Sequence, residues 1–311
     1  MALIVRRAGL LLTVQDAGRW GYQAEGVPVA GPMDLWSHRL ANLAVGNPPG
    51  AAALEATLVG PELECERPVT VAVTGAAFVI EAGGRVVESP ALFDVDGGAT
   101  IRFGRRVAGA RACIAFRGGV DVPPVLGSRS TDVRSGFGGF EGRALRAGDH
   151  VPLARPSSAS LPRPAGPVPR SRLPLPGGIT RLRVLLIAAA ADGGSGILRG
   201  LTTGTFVVST RSDRMGYRLE GASLPDMPPG TLISMPTVTG LVQVPPNGEP
   251  ILLMADRQTT GGYLPAAVVI AADLPLAGQL APGDRIRFEP CAAGEAARAL
   301  AEAERTIAEW R

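Results

Sequence analysis

The sequence predicts a mainly β protein of two β-barrel domains, with a few short helices and an amphipathic helix near its C-terminus. The chain has 311 residues, about twice the length of a typical single domain. It contains 41 glycines and 28 prolines but only 5% aromatic residues. Many short apolar runs are separated by glycine-rich turns, which is typical of strands rather than of a helix bundle.

The first domain is predicted over residues 1–155. Its strands are expected where apolar and β-branched residues lie between turn residues, at 2–7, 10–14, 69–73, 78–80, 99–103 and 112–116.

One helix is predicted in this domain. Asp34 is a candidate N-cap, because Trp36, Leu40 and Leu43 follow it at helical spacing. Gly46 stands where a C-terminal cap belongs, and the prolines that follow it prevent the helix from continuing.

A linker is predicted over residues 156–178. No acidic residue lies between Asp149 and Asp192, whereas eight prolines occur between Pro152 and Pro176. Proline fixes φ and cannot donate to a strand ladder, so a semi-extended segment is expected.

The second domain is predicted over residues 179–311, with the same strand-and-turn style as the first. A weak internal repeat indicates a duplicated β-barrel unit. Its strands are expected at 181–187, 205–210, 231–235, 241–244, 251–255, 267–271 and 285–288. The domain ends in an amphipathic helix whose apolar stripe consists of Ala296, Leu300, Ala303, Ile307 and Trp310.

The composition excludes several chemistries. The sequence has no lysine, which rules out a Schiff-base lysine, a GxxxxGK[ST] phosphate loop and a biotinylated lysine on this chain. Two histidines, His38 and His150, are too few for a three-histidine metal site. The three cysteines form no CxxC pair, so no metal site and no disulfide framework are predicted.

The net charge of +3 depends on six arginines that lie between Asp149 and Asp192, so nucleic-acid binding is not indicated. The first residues contain no long apolar run, and no run reaches the ~20 residues of a membrane span. We therefore expect no signal peptide, no membrane segment and a cytoplasmic location.

Three polar clusters are candidates for chemistry. The first covers residues 211–221 and includes Asp213, Arg214 and Gly216. Arginine forms a planar fork suited to carboxylates and phosphates, and glycine allows close approach of the backbone. The alternative is a turn whose charges pair with one another.

The second cluster joins the Asn-Gly turn after Gln243 to the polar run that starts at Asp256. Asn-Gly between two apolar runs indicates a hairpin, which would allow Gln243 and Asp256 to share one face. The run then offers backbone N–H groups for an oxyanion. The alternative is an exposed loop at a strand end. The run contains Arg257, Gln258, Thr260, Gly261, Gly262 and Tyr263.

The third cluster contains Gln15, Asp16 and Arg19, which either bind a small polar ligand or close a turn. Asp34 is interpreted as a helix cap and His38 as a surface or packing residue, while Cys113 is expected to be a buried strand residue.

These clusters in this order resemble the carboxyltransferase subdomain family. That family includes the C subunit of bacterial 5-oxoprolinase, the allophanate hydrolase subunit 2 proteins and KipA, and it is related to the carboxyltransferase region of urea carboxylase. The resemblance covers nearly the whole chain and rests on segments 14–21, 31–34, 41–47, 54–57, 117–119, 126–132, 212–216, 243–245 and 256–263.

The resemblance implies two cyclophilin-like β-barrel domains and a heteromeric assembly. It implies a KipI-like B subunit for a partner, together with a LamB/YcsF-like A subunit in a 5-oxoprolinase. ATP would then be used through the partner complex, or biotin would be carried by another chain. One departure is that a Gly-Pro-Gln segment often found after the first strand of the second domain is replaced by the apolar run 188–194.

Three functions follow from the resemblance. The first is that of the 5-oxoprolinase C subunit, which takes part in ATP-dependent hydrolysis of 5-oxo-L-proline to L-glutamate. The others are a biotin-dependent carboxyltransferase acting on urea or a related amide, and a non-enzymatic KipA-like protein that binds a KipI-like kinase inhibitor. Arg214, Asp256 and Gln243 are predicted to be catalytic. The predicted substrate-binding residues are Gln15, Asp16, Arg19, Asp213, Gly216, Arg257, Gln258, Thr260, Gly261, Gly262 and Tyr263.

Overall fold

The computed structural model describes residues 2–156, 164, 166–187, 194–222, 224–225 and 233–310. The chain forms two compact units, each described here by itself. The first unit consists of Met1–Arg19, Ala30–Leu173 and Ile307–Arg311, and the second of Trp20–Val29 and Pro174–Thr306. Strands dominate both units, so the predicted mainly β class with short helices and a C-terminal helix is confirmed. The linker over 156–178 stays a prediction.

The first unit is built on one nine-stranded sheet. Its hydrogen-bonded order is β2-β3-β8-β4-β1-β9, and β5 pairs with β6, β7 and β8. The strands are β1 (Ala2–Arg7), β2 (Leu11–Gln15), β3 (Ala53–Thr57), β4 (Glu62–Cys65), β5 (Val69–Ala82), β6 (Arg85–Glu88), β7 (Ala91–Val95), β8 (Thr100–Phe116) and β9 (His150–Pro152). Its core is aliphatic and includes Phe78 and Phe103, whose rings meet edge to face with centroids 5.4 Å apart.

Two pairs of expected short strands are in fact single long strands, β5 and β8. The glycines inside them, Gly75 and Gly109, have φ of 84° and 73°. The β5–β8 register shifts between Gly75 and Ala77, so these positions are bulges within a continuous ladder. The prediction of separate strands was wrong here, because a glycine in a strand marks a bulge as readily as a turn.

The predicted helix is α1 (Leu35–Ala44), and Asp34 is its N-cap, accepting a hydrogen bond from the backbone N–H of Ser37 at 2.9 Å. Gly46 follows the last turn with φ of 78°, as a C-terminal glycine does.

The end of the C-terminal helix, α4 (Ala293–Trp310), packs on α1. Ile307 and Trp310 meet Leu40, Leu43 and Trp36 there, whereas Leu300, nearer the start of the apolar stripe, is exposed.

The second unit contains a closed seven-stranded barrel, ordered β10-β17-β14-β15-β12-β11-β18, in which β18 pairs in parallel with β10. Its strands are β10 (Ile179–Leu186), β11 (Phe206–Val208), β12 (Gly216–Gly221), β14 (Leu241–Val244), β15 (Ile251–Leu253), β17 (Leu264–Val269) and β18 (Arg285–Pro290). Phe206 and Phe288 pack inside, with ring centroids 5.9 Å apart.

A separate two-stranded sheet pairs β13 (Met235–Pro236) with β16 (Thr260–Gly261), so the described part of the strand expected at 231–235 is only its end. The unit also holds the helices α2 (Gly194–Thr203) and α3 (Leu274–Gly278), with short 3-10 turns at Gln23–Glu25 and Ala271–Asp273. Most of the apolar run 188–194 lies outside the described residues.

The Asn-Gly turn forms the expected hairpin, because β14 and β15 pair with Val242 opposite Leu252 and Gln243 opposite Ile251. Within the described chain, no helix is both long and apolar enough to cross a bilayer. The described residues likewise bring together no three His, Cys, Asp or Glu side chains that could hold a metal ion.

Candidate functional site

A buried ion pair joins the two polar loops of the second unit. Arg214 donates from Nε to one carboxylate oxygen of Asp256 at 2.8 Å and from Nη2 to the other at 2.9 Å. The backbone N–H of Asp256 also donates to the carbonyl of Arg214 at 2.9 Å. Both side chains are more than nine-tenths buried. This two-pronged contact locks the loop after β11 to the loop after β15, because a fork-to-carboxylate pair fixes direction as well as distance.

The residues around Arg214 form a tight turn. Asp213 accepts hydrogen bonds from the backbone N–H groups of Met215 at 2.8 Å and Gly216 at 3.3 Å. A Cβ at Gly216 would lie 3.0 Å from the carbonyl oxygen of Leu252 and 3.1 Å from Ile251, so glycine suits this approach of β12 to β15. Arg211 pairs with Glu220 nearby at 3.1 Å, as the charge-paired-turn interpretation of this cluster expected.

Gln243 lies on β14 with only 1% of its side chain exposed. Its Oε1 is 3.5 Å from Nε2 of Gln258, and its own Nε2 has no hydrogen-bond partner among the described residues. A Cβ on Gly261 would lie 2.7 Å from that Nε2, so the β16 backbone passes directly over the Gln243 amide. A buried amide donor without a partner is unusual and points to a group that the protein alone does not supply.

Arg257, the residue after Asp256, is buried, and no carboxylate among the described residues pairs with it. It is 6% exposed, and Nη1 donates to the hydroxyl of Thr239 at 2.6 Å. Its Nε has no hydrogen-bond partner in the described part of the chain, where no carboxylate forms an ion pair with it either. Burial alone lowers the pKa of this guanidinium below its usual value, because the charged form loses its hydration. Gln243, Gln258 and Gly261, which contact one another, together with Arg257, the chain neighbour of Gln258, are named the Gln243 cluster.

Gln258 and the short β13–β16 sheet hold this cluster in place. The hydroxyl of Thr237 donates to the carbonyl of Gln258, and the backbone N–H of Thr237 donates to the carbonyl of Thr259 at 2.9 Å. Thr260 pairs with Pro236 in the sheet and is exposed. Gly262 leads from β16 to Tyr263, which is 46% exposed.

Tyr263 borders a cavity of about 330 Å³ in the same unit. The cavity is lined by the β14–β15 turn, by Arg218 of β12 and by Ile251 of β15. Arg218 belongs to the first polar cluster of the sequence but is not among the predicted site residues. Alternation along β12 is the signal that would have placed it on the outer face, since Tyr217 and Leu219 on either side are buried.

The third cluster, in the first unit, forms an internal hydrogen-bonded network. Asp16 accepts from Ser128 at 2.6 Å, from the backbone N–H of Arg129, from Ser130 at 2.7 Å and from the backbone N–H of Gly18 at 3.0 Å. Burial by itself raises the pKa of this carboxyl, but the four donors outweigh it and hold the pKa below its usual value. Asp16 therefore links the segment after β2 to residues 128–130. Asp16, Gly18, Ser128, Arg129 and Ser130 are named the Asp16 network.

Arg19 and Gln15 lie beside this network. Arg19 is fully buried, donates to the carbonyls of Val125 at 2.9 Å and Ser130 at 2.8 Å, and stacks 4.6 Å from the ring centre of Phe137. Gln15 donates to the carbonyl of Thr131 at 3.2 Å, while its Oε1 has no hydrogen-bond partner among the described residues. A substrate-binding role for these residues stays a prediction.

His38 is buried, which agrees with a packing role and not with a surface one. Its Nδ1 lies 3.7 Å from the sulfur of Cys113, and its Nε2 is 3.2 Å from the amide nitrogen of Asn42. Burial lowers the pKa of His38 to about 4 and raises that of the Cys113 thiol well above its usual value. Both groups are therefore neutral at pH 7, and Cys113 is the buried strand residue that its sequence position predicts.

The structure thus brings most of the predicted site residues together in one unit. Arg214 and Asp256 form the ion pair, and Gln243, Arg257, Gln258 and Gly261 form the cluster beside it. Gln15, Asp16 and Arg19 lie in the first unit. In the second unit, the donors of Gln243 and Arg257 that have no hydrogen-bond partner among the described residues are suited to an anionic or strongly polarised oxygen.

Comparison with known proteins places the chain in a family. Residues 25–290 match the family described as "Carboxyltransferase domain, subdomain A and B", and the chain belongs to that family. This confirms the resemblance found in the sequence motifs.

Two kinds of relative match over most of the chain. The 5-oxoprolinase C subunit of Escherichia coli (strain K12) is 36% identical over 311 residues, which cover 99% of this chain and 98% of that protein. The urea amidolyase of Saccharomyces cerevisiae (strain ATCC 204508 / S288c) is 31% identical over 325 residues, covering 97% of this chain but 17% of the enzyme.

Solved structures give the same picture. The K. lactis urea amidolyase superposes with a TM-score of 0.88 at 31% identity, covering 100% of this chain and 20% of that one. TTHA0988 superposes with a TM-score of 0.79 at 38% identity, covering 93% of this chain and 55% of that one.

Proposed function

We propose that this chain is the C subunit of a 5-oxoprolinase, an enzyme that hydrolyses 5-oxo-L-proline to L-glutamate at the expense of ATP. The observation that carries the proposal is the match to the E. coli protein over 98% of its length. The urea amidolyase match covers only 17% of a much larger enzyme. The similarity of this chain thus extends over almost all of a 5-oxoprolinase C subunit, which supports the same role here.

The Gln243 cluster supports amide chemistry in this proposal. Hydrolysis of a lactam, a cyclic amide, requires negative charge to be stabilised on the amide oxygen as water adds to the carbonyl carbon, before the C–N bond breaks and the ring nitrogen leaves as the amine. Fixed donors aimed at such an oxygen are effective because they need no reorganisation during the reaction. Gln243 Nε2 and Arg257 Nε are buried donors with no hydrogen-bond partner among the described residues.

The Arg214–Asp256 pair has a positioning role in this scheme. Each charge is met by the other in a forked contact, so neither is available as a free acid or base. The pair holds the start of the polar run, and therefore Arg257, against the loop after β11.

Partners complete the proposed enzyme. We expect a KipI-like B subunit and a LamB/YcsF-like A subunit, with ATP bound through the complex because this chain has no lysine-containing phosphate loop. We place the complex in the cytoplasm, where ATP is available.

One observation favours a second function, carboxyl transfer to an amide. The matching family carries the description of a carboxyltransferase domain, and the urea amidolyase fold superposes along the whole chain. The same donors would then stabilise a ureido oxygen. Biotin would be attached to another chain, because this sequence offers no lysine for it.

The test is an assay of the complex assembled with its partner subunits. We expect ATP hydrolysis that depends on 5-oxo-L-proline and yields glutamate. Gln243→Leu is expected to lower that rate by about 100-fold, as loss of an oxyanion donor does. It should leave the fold intact, since Nε2 has no hydrogen-bond partner to lose among the described residues and Oε1 loses only the long 3.5 Å contact from Gln258.

Gln23→Leu is the matched control, because it makes the same change in a 3-10 turn outside the cluster and should keep the wild-type rate. An assembled complex that shows no 5-oxoproline-dependent ATP hydrolysis would reject the proposal. If the same complex carboxylated urea from carboxybiotin, the second function would replace it.

A further inference from the structure

Of the described residues that line the cavity of about 330 Å³ beside β12, only Tyr263 is predicted from the sequence to bind substrate. The cavity is lined on one side by Arg218 and Ile251, on another by Tyr263, and at the β14–β15 turn by Pro245, Asn247 and Glu249. Its size is at the lower end of the range for small-molecule sites, which suits a compact ligand better than a nucleotide.

Arg218 is a cation without a counter-charge in the described part of the chain, where its side chain forms no ion pair or hydrogen bond. The acids around it are already engaged. Glu220 binds Ser209 and Arg211, and Glu249 lies 3.5 Å from Arg211. Arg211 and Arg218 balance the charges of these two glutamates, but both acids pair with Arg211, so the Arg218 guanidinium has no direct partner among the described residues and can receive an anion.

The remaining walls suit a flat ring. Tyr263 offers a half-exposed aromatic face, and the prolines of the turn and Ile251 offer apolar surface. Asn247 adds an amide group, whose Nδ2 is 3.3 Å from Glu249. Together these features describe a site for a small ring with one negative end and a polar edge.

Strand register connects this cavity to the Gln243 cluster. Arg218 pairs with Ile251 across β12 and β15, and Ile251 pairs with Gln243 across β15 and β14. Directly paired residues project from the same face, with Cβ atoms about 5 Å apart at each step. The row Arg218–Ile251–Gln243 therefore forms a single floor with the cation at one end and the buried amide at the other.

We infer that this row is the substrate-recognition floor of the second unit and that it selects a lactam bearing a carboxylate. Arg218 binds the carboxylate, Tyr263 covers the ring, and the ring amide points towards Gln243. This inference rests on the proposed function and deepens it, since it makes Arg218 the residue that distinguishes 5-oxo-L-proline from urea. Urea has no carboxylate for Arg218 to bind.

The experiment is a titration of the purified full-length chain, by calorimetry and ligand-observed NMR, with 5-oxo-L-proline and with 2-pyrrolidinone, the same ring without its carboxylate. We expect 5-oxo-L-proline to bind at least tenfold more tightly than 2-pyrrolidinone. Arg218→Gln should weaken the binding of 5-oxo-L-proline by about 10- to 100-fold, the range for a hydrogen bond to a charged group. It should leave the binding of 2-pyrrolidinone unchanged. Arg218→Lys should fall between, since it keeps the charge but loses the fork.

Arg285→Gln is the matched control, because Arg285 is an exposed arginine of β18 that does not line the cavity. It should bind 5-oxo-L-proline as the wild type does. The inference is overturned if the wild type does not bind 5-oxo-L-proline, if it binds both ligands equally, or if Arg218→Gln weakens both to the same extent.

The two proposals fail separately. An assembled complex that hydrolyses ATP with 5-oxo-L-proline, but whose rate and KM are unchanged by Arg218→Gln, refutes the recognition floor and leaves the function standing. A chain that binds 5-oxo-L-proline through Arg218, in a complex without that hydrolysis, keeps the floor and rejects the function.

Discussion

Half-buried Asp16 and buried Arg257 are two charged side chains predicted to bind substrate, and the protein compensates their charges in opposite ways. Asp16 accepts four hydrogen bonds inside the first unit, and its pKa is held below the usual value. Arg257 donates to a neutral group, the hydroxyl of Thr239, and burial lowers its pKa. A buried charge is costly unless other groups replace its hydration.

The difference separates a structural role from a binding role. In the Asp16 network the protein itself supplies the donors, so the carboxylate stabilises the fold without a ligand. In the Gln243 cluster the described residues do not compensate the cost of burying the Arg257 charge and the Gln243 amide. Binding sites for a charged or polarised ligand differ from structural sites in this respect.

The largest effect on the free energy of unfolding is expected from removing Asp16, the charge with the more complete set of hydrogen bonds. Asp16→Ala should lower the free energy of unfolding by about 3 kcal/mol, because it leaves buried donors of Ser128, Arg129 and Ser130 without their acceptor. Urea denaturation followed by circular dichroism measures the change. Asp121→Ala is the control, since Asp121 is an exposed partner of the same Arg129, 3.6 Å away, and its loss should cost less than about 1 kcal/mol. If Asp16→Ala and Asp121→Ala lost the same amount of stability, the structural role of Asp16 would be rejected.

His38 differs from both Asp16 and Arg257, because it is buried in its neutral form. Its pKa in the folded protein is about 4, against 6.5 when unfolded. The unfolded chain therefore binds a proton that the folded chain does not, and stability is lost as the pH falls from about 6.5 towards 4. The loss attributable to this group is at most about 3 kcal/mol.

Unfolding free energies of the wild type and His38→Gln across that pH range provide the measurement. The difference between the two proteins should change in favour of His38→Gln as the pH falls. Parallel curves would mean that His38 is protonated in the folded protein at the same pH as in the unfolded one.

The smallest effect on stability is expected at Arg257. Arg257→Met should change the free energy of unfolding by less than about 1 kcal/mol in either direction, because it removes an uncompensated buried charge and keeps the volume. Arg19→Met is the comparison, and it should cost about 2 kcal/mol since it breaks charge-assisted bonds to the carbonyls of Val125 and Ser130. Thermal and urea unfolding of both variants measure the two changes. If Arg257→Met lost as much stability as Arg19→Met, Arg257 would have a structural role.

Much of the fold could be predicted from local sequence. The strand Ala2–Arg7, the strand Leu241–Val244 and the helix capped by Asp34 have the ends that their apolar spacing and capping residues indicate. The breaks inside β5 and β8 could not be interpreted correctly, because a glycine with positive φ serves both turns and bulges and only the partner strand decides between them.

The site was less accessible to sequence reasoning. Gln243 and Asp256 stand out as polar residues beside apolar strands, and the hairpin signal predicted that they could share one face. Arg218 does not stand out, because its importance depends on strand register and on which neighbouring acids are already engaged. The number of hydrogen bonds that Asp16 accepts is equally hidden, since three of its four donors come from residues 128–130, more than a hundred positions along the chain.

The parallel pairing of β10 with β18 has a kinetic consequence. Ile179 lies opposite Arg285, so the seam of the barrel joins segments about a hundred residues apart. Contacts of such long sequence separation form slowly, because the intervening chain must lose its freedom before they are gained. Closure of the barrel that carries the substrate-recognition floor is therefore expected late during synthesis, only after residue 290 has left the ribosome.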